Sequence, residues 1–366
     1  MNINKSGSFY KLLAFALLVL IFALLAVIAV SGKEAPDNLP EQDGTQDNGA
    51  LQEKPDQNGQ INEEPNVENE PVVTPPAITY YLTGMECTEA EAATAPYAII
   101  CASDAPSYGI SSSELVIEIP LEDGGSRFVA FHSSLAGLGK IGALAPSRGN
   151  IAGIVNAFGG VTVALGSDDA LEELSESVDL DLGFTDYYYK ENTKDAFTTD
   201  SMIRELSAIR NPGGASPLHL SPFSFVEYGE SYIGIADASS IVLPYSEINT
   251  TTFIYDTKSS GYILGKSGSE ITDLLSAKSA SFENVFVLFA DSTTYERSSG
   301  VQTVIATASS GSGYYFSRGK ATEIRWQVKD GNILFTTLDG TELTVNRGKS
   351  FIGYYKSSSA FEVSFE

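Results

Sequence analysis

Nineteen consecutive residues near the start of the chain, Leu12 to Val30, carry no polar side chain, and nothing else in the sequence constrains it as strongly. As an α-helix at 1.5 Å per residue the run is about 28 Å long, close to the ~30 Å hydrocarbon core of a bilayer. Lys5 and Lys11 precede it with no acidic residue, and the flank beyond turns acidic from Glu34. This asymmetry predicts a single-pass cell-membrane anchor with the N-terminus inside and residues 32–366 extracytoplasmic. The competing expectation is a signal peptide cleaved near Ala29-Val30-Ser31. The run exceeds the usual h-region of about 7–15 residues, which favours a retained signal-anchor. A lipid-anchor signal needs a cysteine just after the run, and none is there.

Residues 33–76 hold eleven Asp/Glu, two Lys and seven Pro, with no aromatic side chain. Such a stretch buries too little apolar surface to offset its ordering entropy, and like charges with proline extend it. It is expected to be an acidic, disordered linker. The remainder has eighteen Lys/Arg against thirty-six Asp/Glu, a field that repels nucleic acid and anionic lipid. Two cysteines exclude a disulfide-dense scaffold.

The length beyond residue 76 suggests two domains. In the first, YAIICA (97–102), ELVIEI (114–119) and RFVAFH (127–132) have strand character, with Gly124-Gly125 as a hairpin turn. NIAGIVNAF (150–158) predicts a helix stopping at Gly159-Gly160, followed by the strand VTVAL (161–165). Asp168-Asp169 is placed to cap a helix over ALEEL, and DSMIRELSAI (200–209) predicts an amphipathic helix. The breaker run NPGGASP (211–217) marks a boundary. Beyond it short strands recur, separated by turns such as Asp330-Gly331 and Asp339-Gly340, and only EITDLLSA (270–277) has helical character. The expected fold class is α+β: a membrane anchor (1–31), a linker (32–76), a mixed α/β domain (77–214) and a mainly antiparallel β domain (215–366).

LTG (82–84), PYAII (96–100), ELVIE with GGSRFVAFHS (114–118, 124–133) and KIGALAPSR (140–148) resemble the N-terminal half of the YerB-like lipoprotein family of Gram-positive bacteria. NVFVLFAD (284–291), GSGYYFSRGKATEIRWQV (311–328) and LDGTELTVNRGKSFIGY (338–354) resemble its C-terminal half. The resemblance covers nearly all of 80–366 and implies an extracytoplasmic, membrane-attached protein without an assigned activity. Where that pattern is most polar this chain departs from it, carrying Ala102, Ser103, Ala145, Val163, Thr193, Lys194, Asp195 and Leu264. Glu118, Glu122, Arg127, Arg148 and Ser167 are retained, and these five are the candidate binding residues.

Catalytic signatures are sparse. His132 and His219 are the only histidines, and no G-x-S-x-G elbow accompanies them. No tight set of His, Cys and acidic residues suits zinc, and Asp179 with Asp181 lacks the rest of a calcium loop. The GKS triplets at 265–267 and 348–350 lack the upstream glycine of a phosphate loop, where Ser260 and Leu343 stand. Ser317 to Lys320 matches S-x-x-K but falls on a strand-turn-strand pattern. No cofactor is implied. Cys87 and Cys101 are a possible bridge or two small buried side chains.

Across the predicted hairpin Arg127 is expected to return towards Glu118 as an Arg–carboxylate fork. The function favoured is a non-enzymatic binding or scaffold protein of the cell envelope that contacts another envelope protein or a wall polymer. One alternative is an enzyme acting on wall glycan through Glu118 and Glu122. Another is a small-ligand binder with a cleft between the two domains.

Overall fold

The computed structural model describes residues 78–366 apart from 170–177, 184, 193, 211–220 and 299. The apolar run at 12–30, the acidic segment 33–76, the helix expected over ALEEL, the boundary at 211–217 and His219 lie outside the described residues. Among the described residues no helix is long and apolar enough to cross a membrane.

The described chain is mostly β. Strands β1 (Tyr97–Ala102), β2 (Leu115–Pro120), β3 (Ser126–His132), β4 (Lys140–Leu144) and β5 (Val161–Ala164) form where β-branched and aromatic residues cluster between turn residues. The β2–β3 hairpin closes at Gly124, whose φ of 81° suits glycine, and Leu121 N bonds Gly125 O at 2.9 Å. Its register sets Glu118 opposite Phe128 and Ile119 opposite Arg127. β2 and β3 are buried throughout, so each face meets its own core.

On one face Ile117, Ile119, Val129 and Phe131 pack against helix Ile151–Ala157 through Ile151, Ile154 and Val155. That helix stops where expected, with Gly159 at φ 67° and Gly160 N bonded to Val155 O at 3.0 Å. On the other face Val116, Phe128 and Phe351 meet Ile241, Phe253 and Leu264 of a six-stranded second sheet. Burying aromatic and aliphatic side chains of this size contributes about 1.5–3 kcal/mol each. Tyr262, Tyr315 and Tyr354 are fully buried, so these tyrosines belong to the cores.

The two expected domains share one 14-stranded sheet. β2 runs parallel to strand Ser350–Lys356, pairing Leu115 with Ser350 through Glu118 with Gly353. That strand in turn runs parallel to Asn284–Ala290. The later half is therefore not purely antiparallel, because its central strands join the earlier half's sheet side by side.

The helix expected over 270–277 is a loop. Asp273 Oδ1 accepts from the amides of Leu275 (2.9 Å) and Ser276 (3.2 Å), and Oδ2 accepts from Ser111 N and Oγ. A carboxylate that captures nearby amides competes with helix hydrogen bonding, and here it wins. Helix Asp200–Arg210 is as expected: Ile203 and Leu206 are buried, and Arg204 pairs with Asp200 at 2.8 Å.

Candidate functional site

Side-chain parity along the hairpin separates the candidate residues. Arg127 and Glu118 point to opposite faces of the sheet, so the expected fork between them does not exist. Glu118 lies under the second sheet, fully buried, where it accepts from Ser126 Oγ at 2.5 Å, from Thr251 Oγ1 at 2.8 Å and from Lys266 Nζ. Lys266, from the first GKS triplet, also donates to Ser126 Oγ (2.9 Å) and Thr251 Oγ1 (2.8 Å). A carboxylate surrounded this way is held as an internal ion pair.

Glu122, Arg127, Arg148 and Ser167 gather in a second network, in which Arg127 lies across the sheet from Glu118. Arg127 forks onto Asp168, Nη1 to Oδ1 at 3.0 Å and Nη2 to Oδ2 at 2.7 Å. Arg148 joins Asp168 (Nε, 2.6 Å) to Glu122 (Nη1, 2.7 Å). Ser167 Oγ donates to Asp169 (2.7 Å), which also accepts from Gly149 N (2.6 Å) and Gln302 Nε2. Asn150 Nδ2 bonds Ile305 O at 3.0 Å, holding ribbon Ser292–Arg297 and Gly300–Ile305 to the cluster. Burial alone raises the Asp168 carboxyl, but hydrogen bonds and charge from Arg127, then Arg148, outweigh it and hold it below the usual carboxylate range. Asp168 is thus the hub of the cluster, although the sequence pattern marked it as a helix cap. Its adjacency to Ser167 was the available signal.

Between the two networks lies a cavity of about 410 Å³. Its walls come from the end of β1 (Ala102, Ser103), the hairpin (Gly125 to Arg127), the end of β4 (Ala145, Pro146) and the turn around Asn249. Ala102, Ser103 and Ala145 are the small residues that stand where the resemblance implies polar ones, and they leave this space open. Asn249 is 8 % exposed, and its Nδ2 donates to Gly124 O at 2.8 Å, which fixes which amide atom is oxygen. Its Oδ1 is buried and accepts from no described residue.

A second cavity, also about 410 Å³, is lined by Glu114, Ser133, Glu283, Lys349 and Cys87. Burial raises the Glu114 and Glu283 carboxyls and lowers Lys349, while Lys349 itself partly offsets both carboxyl shifts. Lys349, from the second GKS triplet, donates to Ser111 O. Ser317 to Lys320 forms a turn with Arg318 at φ 53° and Gly319 at φ 71°. His132 is buried on β3, with Nδ1 unpartnered among the described residues. Cys87 and Cys101 are both free thiols, and burial pushes Cys101 up to about 12. No three His, Cys, Asp or Glu side chains among the described residues are grouped to hold a metal.

Comparison with known proteins matches residues 82–210 to the N-terminal domain of a protein of unknown function (DUF3048), and residues 241–352 to the C-terminal domain of the same family. No curated protein matches the chain. The crystal structure of YerB protein from Bacillus subtilis shares the fold, with a TM-score of 0.66 at 21 % identity over 78 % of this chain and 99 % of that one. With both family domains matched in order and a shared architecture across both, this chain belongs to the YerB-like DUF3048 family.

Proposed function

We propose that this is a membrane-tethered, extracytoplasmic binding protein of the cell envelope, with its ligand site in the cavity beside the β2–β3 hairpin. The tether rests on the apolar run at 12–30 and the acidic segment behind it. The observation that carries the binding reading is the cavity itself. It is walled by both family halves and flanked by two networks of mutually paired charges, with the Asp104 and Asp123 carboxylates also on its wall. Arg127 is spent on Asp168, and Glu118 on Lys266, Ser126 and Thr251. Groups locked in mutual pairs shape and stiffen a site, whereas acid–base catalysis needs a group left within reach of substrate. Glu118 and Glu122 belong to separate networks on different sides of the hairpin, which favours binding over a two-carboxylate hydrolase.

Two measurements test this. Full-length protein is expected to stay with membranes through high-salt washing, and protease added from outside is expected to release a body beginning near residue 77. Protein trimmed near Ser31 and free in the medium would overturn the tether. The immobilised 77–366 body is expected to retain an envelope component that Ile248→Trp, at the cavity mouth, no longer retains. Turnover of a wall glycan that disappears in Glu118→Gln and Glu122→Gln would replace binding with catalysis.

A further inference from the structure

We infer that an apolar groove at the edge of the shared sheet docks an extended segment of a partner protein, in which aliphatic residues alternate with Lys or Arg. The edge belongs to the long strand Lys320–Lys329, whose other side pairs with strand Ser310–Ser317. On the groove side Ala236–Asp237 covers Lys320 and Ala321, and Asn332–Thr337 covers Ile324 to Lys329. Among the described residues no strand pairs with Thr322 or Glu323 there. At that gap the groove opens, with a volume of about 640 Å³. An uncovered stretch of strand edge is where an extended peptide adds to a sheet.

Three rings wall the groove. Tyr314 and Phe365 meet edge to face with centroids 5.2 Å apart. Tyr232 donates its hydroxyl to Thr322 Oγ1 at 3.1 Å, and its backbone N and O both bond the Asn346 side chain at 2.8 Å. The wall is therefore set before anything binds, which lowers the cost of binding. At the rim Ile235 is 90 % exposed and Leu338 is 49 % exposed. Contiguous apolar surface left open in this way marks an interaction site.

Charge selects the occupant. Glu323 and Asp339 are exposed carboxylates on the wall, and among the described residues no Lys, Arg or His lines the groove. The adjacent Lys320 is paired with Asp237 at 2.7 Å. A cation thus meets ring faces and carboxylates together. An anionic lipid surface or an acidic peptide meets repulsion. So does a second copy of this chain, which beyond residue 76 carries thirty-six Asp/Glu against eighteen Lys/Arg. Successive side chains of an extended segment point to opposite sides, so aliphatic ones can fill the groove while the cations between them reach the carboxylates.

The test uses full-length protein in phosphatidylcholine nanodiscs and follows fluorescence anisotropy of a labelled peptide, Gly-Lys-Val-Lys-Ile-Lys-Gly. Two sister peptides replace its lysines by glutamate or its aliphatic residues by serine. Ile235→Ser and Glu323→Lys change exposed side chains, so melting temperature is expected to hold. The lysine peptide is expected to bind, both sisters to bind at least tenfold more weakly, and each variant to weaken binding about tenfold. Glu296→Lys, the same charge change outside the groove, and Ile248→Trp at the hairpin cavity are expected to leave it unchanged. No binding at millimolar peptide, or equal binding of either sister, overturns the inference. Equal weakening by Glu296→Lys and Glu323→Lys also overturns it, because the attraction is then to the acidic body as a whole. Weakening by Ile248→Trp would move the peptide to the hairpin cavity. Pairing of discs that Ile235→Ser abolishes, read by mass photometry, would make a second copy the occupant, and either result sinks the assignment.

Discussion

His132 makes this protein acid-sensitive by a calculable amount. Burial, and after it the charge of Lys349, lower its imidazole to about 4 against the opposing charge of Asp273. In the unfolded chain the same group titrates near 6.5. The unfolded state therefore takes up the proton first as pH falls, so stability is intact above 6.5, declines below it, and stops declining below about 4. With those two values, going from pH 7 to pH 5 removes about 2 kcal/mol through this one side chain. The assay is urea unfolding of the 77–366 body at both pH values, beside His132→Gln, which keeps a polar side chain but cannot titrate there. Glu114 and Glu283, raised by burial, act with the opposite sign, because their protonation is easier in the folded state. They are common to both proteins, so the difference isolates the histidine. The variant is expected to lose about 2 kcal/mol less than the parent between the two pH values. Equal losses, or a measured His132 value near 6.5, would refute the reasoning.

Lys266→Met is expected to cost about 3–5 kcal/mol in urea unfolding because it strands the Glu118 carboxylate, and adding Glu118→Leu should restore most of it. Arg127→Lys keeps the charge but loses the fork onto Asp168, lowering stability by about 1.5–3 kcal/mol in the same assay; an unchanged melting temperature with lost ligand binding would instead make Arg127 a binding group. The Asp168 carboxyl, held low by the arginines, should titrate below its unfolded value near 3.9 when followed by carboxyl NMR. Its contribution is present above that value and lost as pH falls through the folded one.

The local elements were largely legible. Alternation and turn residues locate β1 to β3, and Gly159-Gly160 ends its helix because a helix C-terminus favours residues that tolerate positive φ. The sites were less legible, for a geometric reason. Whether Arg127 meets Glu118 depends on register, and a shift of one position exchanges the faces. Lys266 lies far along the chain from Glu118, and no local pattern records that the second sheet lays Thr251 and Lys266 over it. The helix misread at 270–277 has the same origin, since Asp273 is held in part by the distant Ser111. The shared sheet was hidden too, because a parallel pairing of Leu115 with Ser350 carries no turn between the strands to announce it.

That pairing bears on how the protein is made. β2 lies between β3 and the strand Ser350–Lys356, which is remote from it in sequence. Until residues 350–356 leave the ribosome, one edge of β2 has no partner, and its Leu115, Val116 and Ile117 lack part of their covering. Contacts this remote in sequence fold slowly, and open apolar edges recruit other chains in the meantime. A chain that stops short of residues 350–356 therefore keeps one apolar edge of β2 open. A fragment ending before residue 350 is expected to associate through that open edge, read as a shift to larger species on size-exclusion chromatography.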